Sequence, residues 1–96
     1  MLNQVVLVGR ISDLQNDYEN GKEKRNVTLA IQRAFKNDEG IYETDFINVA
    51  LWENENNPLE FCKVGDVVGV KGYLITEHNE LIVKATKVTY LSSSKN

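Results

Sequence analysis

Thr44-Asp45-Phe46-Ile47-Asn48-Val49-Ala50-Leu51-Trp52 is the stretch that decides how the rest of the chain is read. It alternates strictly, which is the period of a strand. Ile47, Val49 and Leu51 fall on one face and make an ordinary core side. Phe46, Asn48, Ala50 and Trp52 fall on the other, where two large rings flank an Asn and an Ala. The rings stand roughly 20 Å apart along an extended strand. A flat face with rings at its ends and small or polar residues between them suits flat, polar-edged ligands such as nucleobases. Periodicity equally allows a second layer over this face, with both rings in a core.

Upstream, Glu23 to Lys36 reads as a strand, because Val27, Leu29 and Ile31 alternate. Continuing that parity puts Arg33 and Phe35 on the core side, which is unfavourable for Arg33. Either a bulge turns the strand end outward or Phe35 is core. Asn37-Asp38-Glu39-Gly40 is the turn between these two strands. Leu2 to Ile11 is a further strand, apolar on both parities, with Val6 and Val8 on one and Val5, Leu7 and Ile11 on the other. Such a strand needs two covers. A barrel interior supplies one; the other is a second subunit or a helix or loop of the same chain, and the chain has little left to provide the latter, which favours an oligomer. Asp13 to Lys22 reads as a polar connection with a turn at Asn20-Gly21.

Downstream the period changes. Asn57-Pro58-Leu59-Glu60 has a capping residue, Pro at the first helical position and Glu at the third, and Gly65 is placed to end a helix of about two turns. Val67 to Thr76 resumes strand, with Gly69 and Gly72 marking close approach or a bend. Glu77-His78-Asn79-Glu80 is a tight turn, Leu81 to Leu91 the last strand, and 92–96 a polar tail. Three strands, a short helix and two strands predict an all-β fold, a five-stranded antiparallel Greek-key barrel of the OB type spanning residues 1–91. Ligands of that fold usually lie across strands two and three, where Phe46 and Trp52 fall.

Ninety-six residues make one small domain. No apolar run approaches a membrane span and no signal peptide is read, so no membrane partner is expected. One cysteine, Cys62, and one histidine, His78, make neither an internal disulfide nor a structural zinc site, and the compartment reads as cytosol. No cofactor or metal is expected. The net charge of −3 argues weakly against nucleic acid, but its distribution is uneven. Residues 37–60 carry seven carboxylates and no cation, while 10–36 carry six cations against four carboxylates. A local basic track can still follow a phosphate backbone. Ser12, His78 and the carboxylates form no recognisable triad and there is no phosphate-cradling Gly-rich loop, so nothing points to an enzyme.

Taken in order, residues 2–10 (Leu-Asn-Gln-Val-Val-Leu-Val-Gly-Arg), 27–31 with Phe35, 45–52, Lys63-Val64-Gly65-Asp66 and 70–74 resemble the bacterial single-stranded DNA-binding proteins, over nearly the whole chain. The likeness is to short paralogues, such as those of natural transformation, or to phage and mobile-element versions. It implies an OB-fold homo-oligomer, usually a tetramer, that coats single-stranded DNA in replication, recombination or repair without reading sequence. It implies stacking rings at Phe35, Phe46 and Trp52, and so an exposed Phe35. It also implies subunit pairing through the first strand, here Asn3, Val5, Val6, Leu7 and Val8. Three features depart from the family. Glu53-Asn54-Glu55 follows Trp52 where basic residues are common. The turn at 77–80 is too short for a DNA-gripping hairpin. Residues 92–96 lack the acidic tip that recruits other proteins.

On these grounds bases are expected to stack on the three rings while Arg10, Lys24, Arg33, Lys36, Lys71 and Lys84 guide phosphates and Asn48 bonds a base or sugar. For each Lys alone, a solvated surface charge is the simpler role. Stacking contributes ~1–3 kcal/mol per base, so three rings could carry much of a micromolar affinity. Two other functions fit the same residues. One is a dimeric replication-restart accessory protein of this fold. The other is a protein-interaction barrel whose rings meet a partner, which the acidic 37–60 region favours.

Overall fold

The computed structural model describes residues 1–52 and 62–93, with Glu19 and Trp52 as backbone only. Five strands, β1 (Val5–Glu19), β2 (Lys22–Lys36), β3 (Tyr42–Trp52), β4 (Val67–Glu77) and β5 (Glu80–Ser92), close into a barrel in the order β1-β2-β3-β5-β4. This is the five-stranded OB barrel that the strand pattern predicts. The expected helix at 57–65 begins outside the described residues, and so do Ser94, Lys95 and Asn96 of the tail. No helix among the described residues is long and apolar enough to cross a membrane.

Two expectations are corrected. The barrel is not wholly antiparallel, because β3 and β5 pair in parallel at Val49–Val83 and Ala50–Lys84. The Greek-key order brings together two strands that run the same way, and only there can the cylinder close. Asp13 to Glu19 is not a connection but the second half of β1, paired residue by residue with β2 down to Glu19–Lys22. Asn20 (φ 55°) and Gly21 (φ 78°) both take positive φ, as a two-residue turn of matching twist requires. That turn locks the register. The ladder needs only backbone groups, so Asp13, Gln15, Asn16 and Asp17 sit in strand although none is apolar.

The interior is filled by the alternating aliphatics: Ile11, Val27, Leu29, Val49, Leu51, Val68, Val70, Val83 and Val88 are buried, with Val5, Leu7, Leu14, Ile31 and Ile47 packed against them. Full burial of such a side chain contributes roughly 1.5–3 kcal/mol, which selects this register over one slipped by a residue. A bulge between Ile11 and Asp13 lets β1 keep Ile11 inward and bring Asp13 outward opposite Thr28. The Ser12 hydroxyl donates to the Thr28 carbonyl at 3.1 Å. Gly72 lies at a register shift between β4 and β5, where a Cβ would collide with the Lys84 carbonyl oxygen and stand 2.9 Å from Ala85 Cα. The close approach read from its sequence is therefore real.

Residues 62–66 dock on β1. The Gly65 N–H donates to the Ile11 carbonyl at 2.7 Å and the Ile11 N–H donates to the Asp66 carbonyl at 2.8 Å. Asp66 is buried, and its carboxylate accepts the Lys63 N–H at 2.9 Å. Burial pushes the Cys62 thiol up, with Asp66 adding to the shift, so the sulfur behaves as a core group rather than a nucleophile. The β4–β5 hairpin turns at His78 and Asn79, both at positive φ, with Glu77 facing Glu80.

Candidate nucleic-acid interface

With the core parity fixed, the opposite parity of β1, β2 and β3 forms one outer face. Its cross-strand rows follow from the register. Arg10 faces Ala30 and Ala30 faces Phe46; Asp13 faces Thr28 and Thr28 faces Asn48; Asp17 faces Lys24 and Lys24 faces Trp52. Phe46 is 66% exposed, so no second layer covers it. Arg10 lies in the same row two strands away, roughly 10 Å from strand to strand. Its Nη1 donates to the Gly65 carbonyl at 2.6 Å, which fixes the guanidinium beside the docked loop. The Trp52 backbone holds the place the sequence assigns it, and its ring lies outside the described residues.

Phe35 is 67% exposed. Between the pairs Gln32–Thr44 and Lys36–Tyr42, β2 has three residues against one in β3. This bulge resolves the parity conflict at Arg33 and Phe35 in favour of an outward turn. Asn37 organises the tip beyond it, accepting the Glu39 and Ile41 N–H groups on Oδ1 at 2.9 and 3.0 Å.

Arg33 is not an uncommitted cation. Its Nε and Nη2 donate to the two oxygens of Asp45, each at 3.0 Å, and its Nη1 stands 3.6 Å from Glu43. The guanidinium hydrogen bonds hold the Asp45 carboxyl below the usual carboxylate range, and Asp45, then Glu43, raise the pKa of Arg33 in return. The cation expected to guide phosphate here is already paired with acids, because the acidic start of β3 lies directly across the hairpin. Lys36 stands 5.6 Å from the Tyr42 ring centroid, within cation–π range, at the hairpin tip. Lys24 is 3.8 Å from Glu77, which ties β2 to the β4–β5 turn. Lys84, half-buried, pairs with Ala50 across the parallel seam.

Lys71 does not join the ring face. It faces Val6 on β1 and Lys87 on β5, and with Val8 and Thr89 these residues line a separate cleft of about 240 Å³. Of the residues expected at a subunit interface, Val6 and Val8 are 71% and 57% exposed. Val5 and Leu7 instead pack on this chain's own core, as their parity requires. Asn3 is also engaged internally: its amide donates to the Leu74 carbonyl at 2.8 Å and accepts the Leu74 N–H at 2.9 Å, extending the ladder by one side chain.

Asn48 sits on the outer face of β3, two residues from Phe46, as the alternation predicts. It lies in a concavity of about 360 Å³ lined also by Asp13, Gln15, Asn26, Thr28, Glu80 and Ile82. None of Asp13, Gln15, Asn26 or Glu80 is a candidate from the sequence. Unbroken alternation of β1 past Ile11 would have put Asp13 and Gln15 on the core side; the bulge between Ile11 and Asp13 brings them to this face.

Residues 2–91 match the model of the single-strand binding protein family. The chain is 43% identical over 84 residues to single-stranded DNA-binding protein B of Bacillus subtilis, covering 83% of this chain and 74% of that protein. It spans about half the length of other curated single-stranded DNA-binding proteins that it matches. Among solved structures it is similar to the single-stranded DNA-binding protein of Thermus aquaticus, with a TM-score of 0.71, 25% identity, and coverage of 95% of this chain and 41% of that one. It is also similar to the dimeric N-terminal domain of PriB from Thermoanaerobacter tencongensis, with a TM-score of 0.71, 22% identity, and coverage of 93% and 96%.

Proposed function

The chain belongs to the single-strand binding protein family, and on that premise we propose that it binds and protects single-stranded DNA by stacking bases on exposed rings, without catalysis. The observation that carries this reading is the outer row Arg10–Ala30–Phe46, a ring and a cation on one uncovered barrel face with a methyl group between them. A base stacked on Phe46 would place its phosphate within reach of the Arg10 side. Phe35 at the hairpin and Trp52 at the far end of β3 extend the track in both directions. Lys24, Lys36 and Lys84 border it, and Asn48 offers a hydrogen bond between the rings. Lys71, on the other cleft, is left out. A duplex hides its base faces, so stacking sites select unpaired strands.

The working unit is a homo-oligomer, a tetramer by family likeness, in the bacterial cytosol or nucleoid. Val6 and Val8 supply an uncovered apolar strip. From Val5 to Gly9, β1 pairs only with β4 among the described strands, so its other edge is open to a second copy. Linked sites then raise avidity. The restart-accessory alternative draws on a likeness of fold alone, because the identity to the PriB domain is 22%.

The test is titration with oligo-dT at two salt concentrations, read by the fluorescence of the single tryptophan, Trp52. Quenching that weakens as salt rises is the expected result. A folded protein that shows no binding to oligo-dT by quenching or by gel shift would favour the protein-interaction module instead.

A further inference from the structure

The concavity at the centre of the outer face is lined unlike a plain stacking surface. Its floor is Asn26, Thr28 and Asn48, with Asp13 and Gln15 on the β1 side and Glu80 and Ile82 on the β5 side. The Lys24–Glu77 contact at 3.8 Å ties β2 to the β4–β5 hairpin, whose Glu80 and Ile82 wall the cleft. At about 360 Å³ it falls within the range of small-molecule clefts, roughly 300–1,000 Å³. The Thr28 hydroxyl donates to Asn48 Oδ1 at 3.3 Å, so Nδ2 is the atom that Asn48 has for a ligand. Asp13 and Glu80 have no cationic partner among the described residues. Ionised carboxylates only accept hydrogen bonds. Phosphate is therefore excluded from this cleft, whereas an exocyclic amino group is suited to it.

We propose that this cleft is a base slot that favours nucleobases bearing an exocyclic amino group, cytosine above all, over uracil and thymine. The inference rests on the reading of this face as a single-strand interface. A cytosine ring between Phe46 and the Lys24 row donates its N4 amino hydrogens to Glu80 or Asp13 while its O2 accepts from Asn48 Nδ2. Uracil presents the same O2 to Asn48 but a carbonyl where cytosine has the amino group. Two acceptors then oppose each other where cytosine has a donor facing an acceptor, which favours cytosine. The phosphates run outside the carboxylates, past Arg10 at one end of the cleft and Lys24 at the other.

Oligo-dC and oligo-dU of equal length, at mildly alkaline pH so that cytosine N3 is unprotonated, differ in amino against carbonyl at C4 and in the proton uracil carries on N3, without the thymine methyl. The wild-type protein is expected to bind oligo-dC roughly five- to tenfold more tightly. The double variant Asp13→Asn/Glu80→Gln, which offers donors in place of carboxylates, is expected to abolish or invert that ratio, with thermal stability unchanged. Phe46→Ala is expected to weaken both oligomers alike. Equal binding of the two by wild type would overturn the proposal. So would a double variant that tightens both by the same factor, because the carboxylates would then act only by repelling phosphate. A wild-type protein that binds neither oligomer overturns the single-strand reading itself, which the oligo-dT titration detects separately.

Discussion

Arg33 grips Asp45 across the β2–β3 hairpin with two parallel N–H···O bonds of 3.0 Å, in the fork geometry that guanidinium and carboxylate share. The pair lies beside the bulge that turns Phe35 outward, so a cation adjoining a stacking ring is already matched by an acid. Asp45 titrates below the usual carboxylate range in the folded protein, because Arg33 donates to its ionised form. Its contribution to stability is therefore present above the unfolded pKa and is lost as pH falls through the lower folded value. At neutral pH the pair is closed. Asp45→Asn removes one acid from the guanidinium and is expected to steepen the dependence of log affinity on log salt by up to about 0.7, one additional phosphate contact. Affinities for oligo-dT at several salt concentrations check this, and an unchanged slope would show that Arg33 meets no phosphate.

Phe35→Ala and Phe46→Ala each remove a ring that is about two-thirds exposed. The barrel should not register their loss, and the melting temperature is expected to hold. Single-strand affinity should fall by the ~1–3 kcal/mol of a lost stack, about five- to 150-fold for each ring, measured by fluorescence titration.

Val6→Asp and Val8→Asp place a charge on the outward strip of β1 and leave the core untouched. The expected outcome is a shift to a smaller species in light scattering with the strand spectrum preserved. Leu7→Asp, one residue away but packed on the core, is expected to unfold the protein. This contrast separates an interface residue from a core residue on the same strand.

Asn3→Ala deletes both side-chain bonds to Leu74. At roughly 0.5–1.5 kcal/mol per bond the loss is local, so the Leu74 amide should exchange with solvent faster while the centre of β4 stays protected. Amide hydrogen exchange followed by NMR reads both positions.

Strict alternation in Val27-Leu29-Ile31 and Ile47-Val49-Leu51 made β2, β3 and their core side legible, because burial on one face leaves a period of two in any sequence. The turns at Asn20-Gly21 and His78-Asn79 were legible from residues that tolerate positive φ. The second half of β1 was not, because Leu14 is its one aliphatic and a bulge breaks the alternation before it; its pairing with β2 makes it a strand. The parallel meeting of β3 and β5 was hidden for a different reason, since closure is set by the topology of the whole chain. At the site, Phe46 and Asn48 were found from parity, and Phe35 needed a bulge that the sequence allowed without requiring. The commitment of Arg33 to Asp45 was missed because the two residues lie twelve apart and meet only through the hairpin register. That Asp13 and Glu80 line the concavity beside Asn48 was not legible, because a carboxylate in an apparent loop looks like any solvated charge.

Among the described residues, β3 is stitched to β5 at two positions, whereas β1 and β2 share nine. Undoing those two would convert the cylinder into an open ribbon without breaking a single hairpin. The barrel should therefore breathe along that line first, with the amides of Val83 and Lys84 losing protection ahead of those midway along β1 and β2. The same line runs beside Ala50, near the end of the ring-bearing strand, so a strand of DNA lying across it would act as a clasp on the weakest join in the fold.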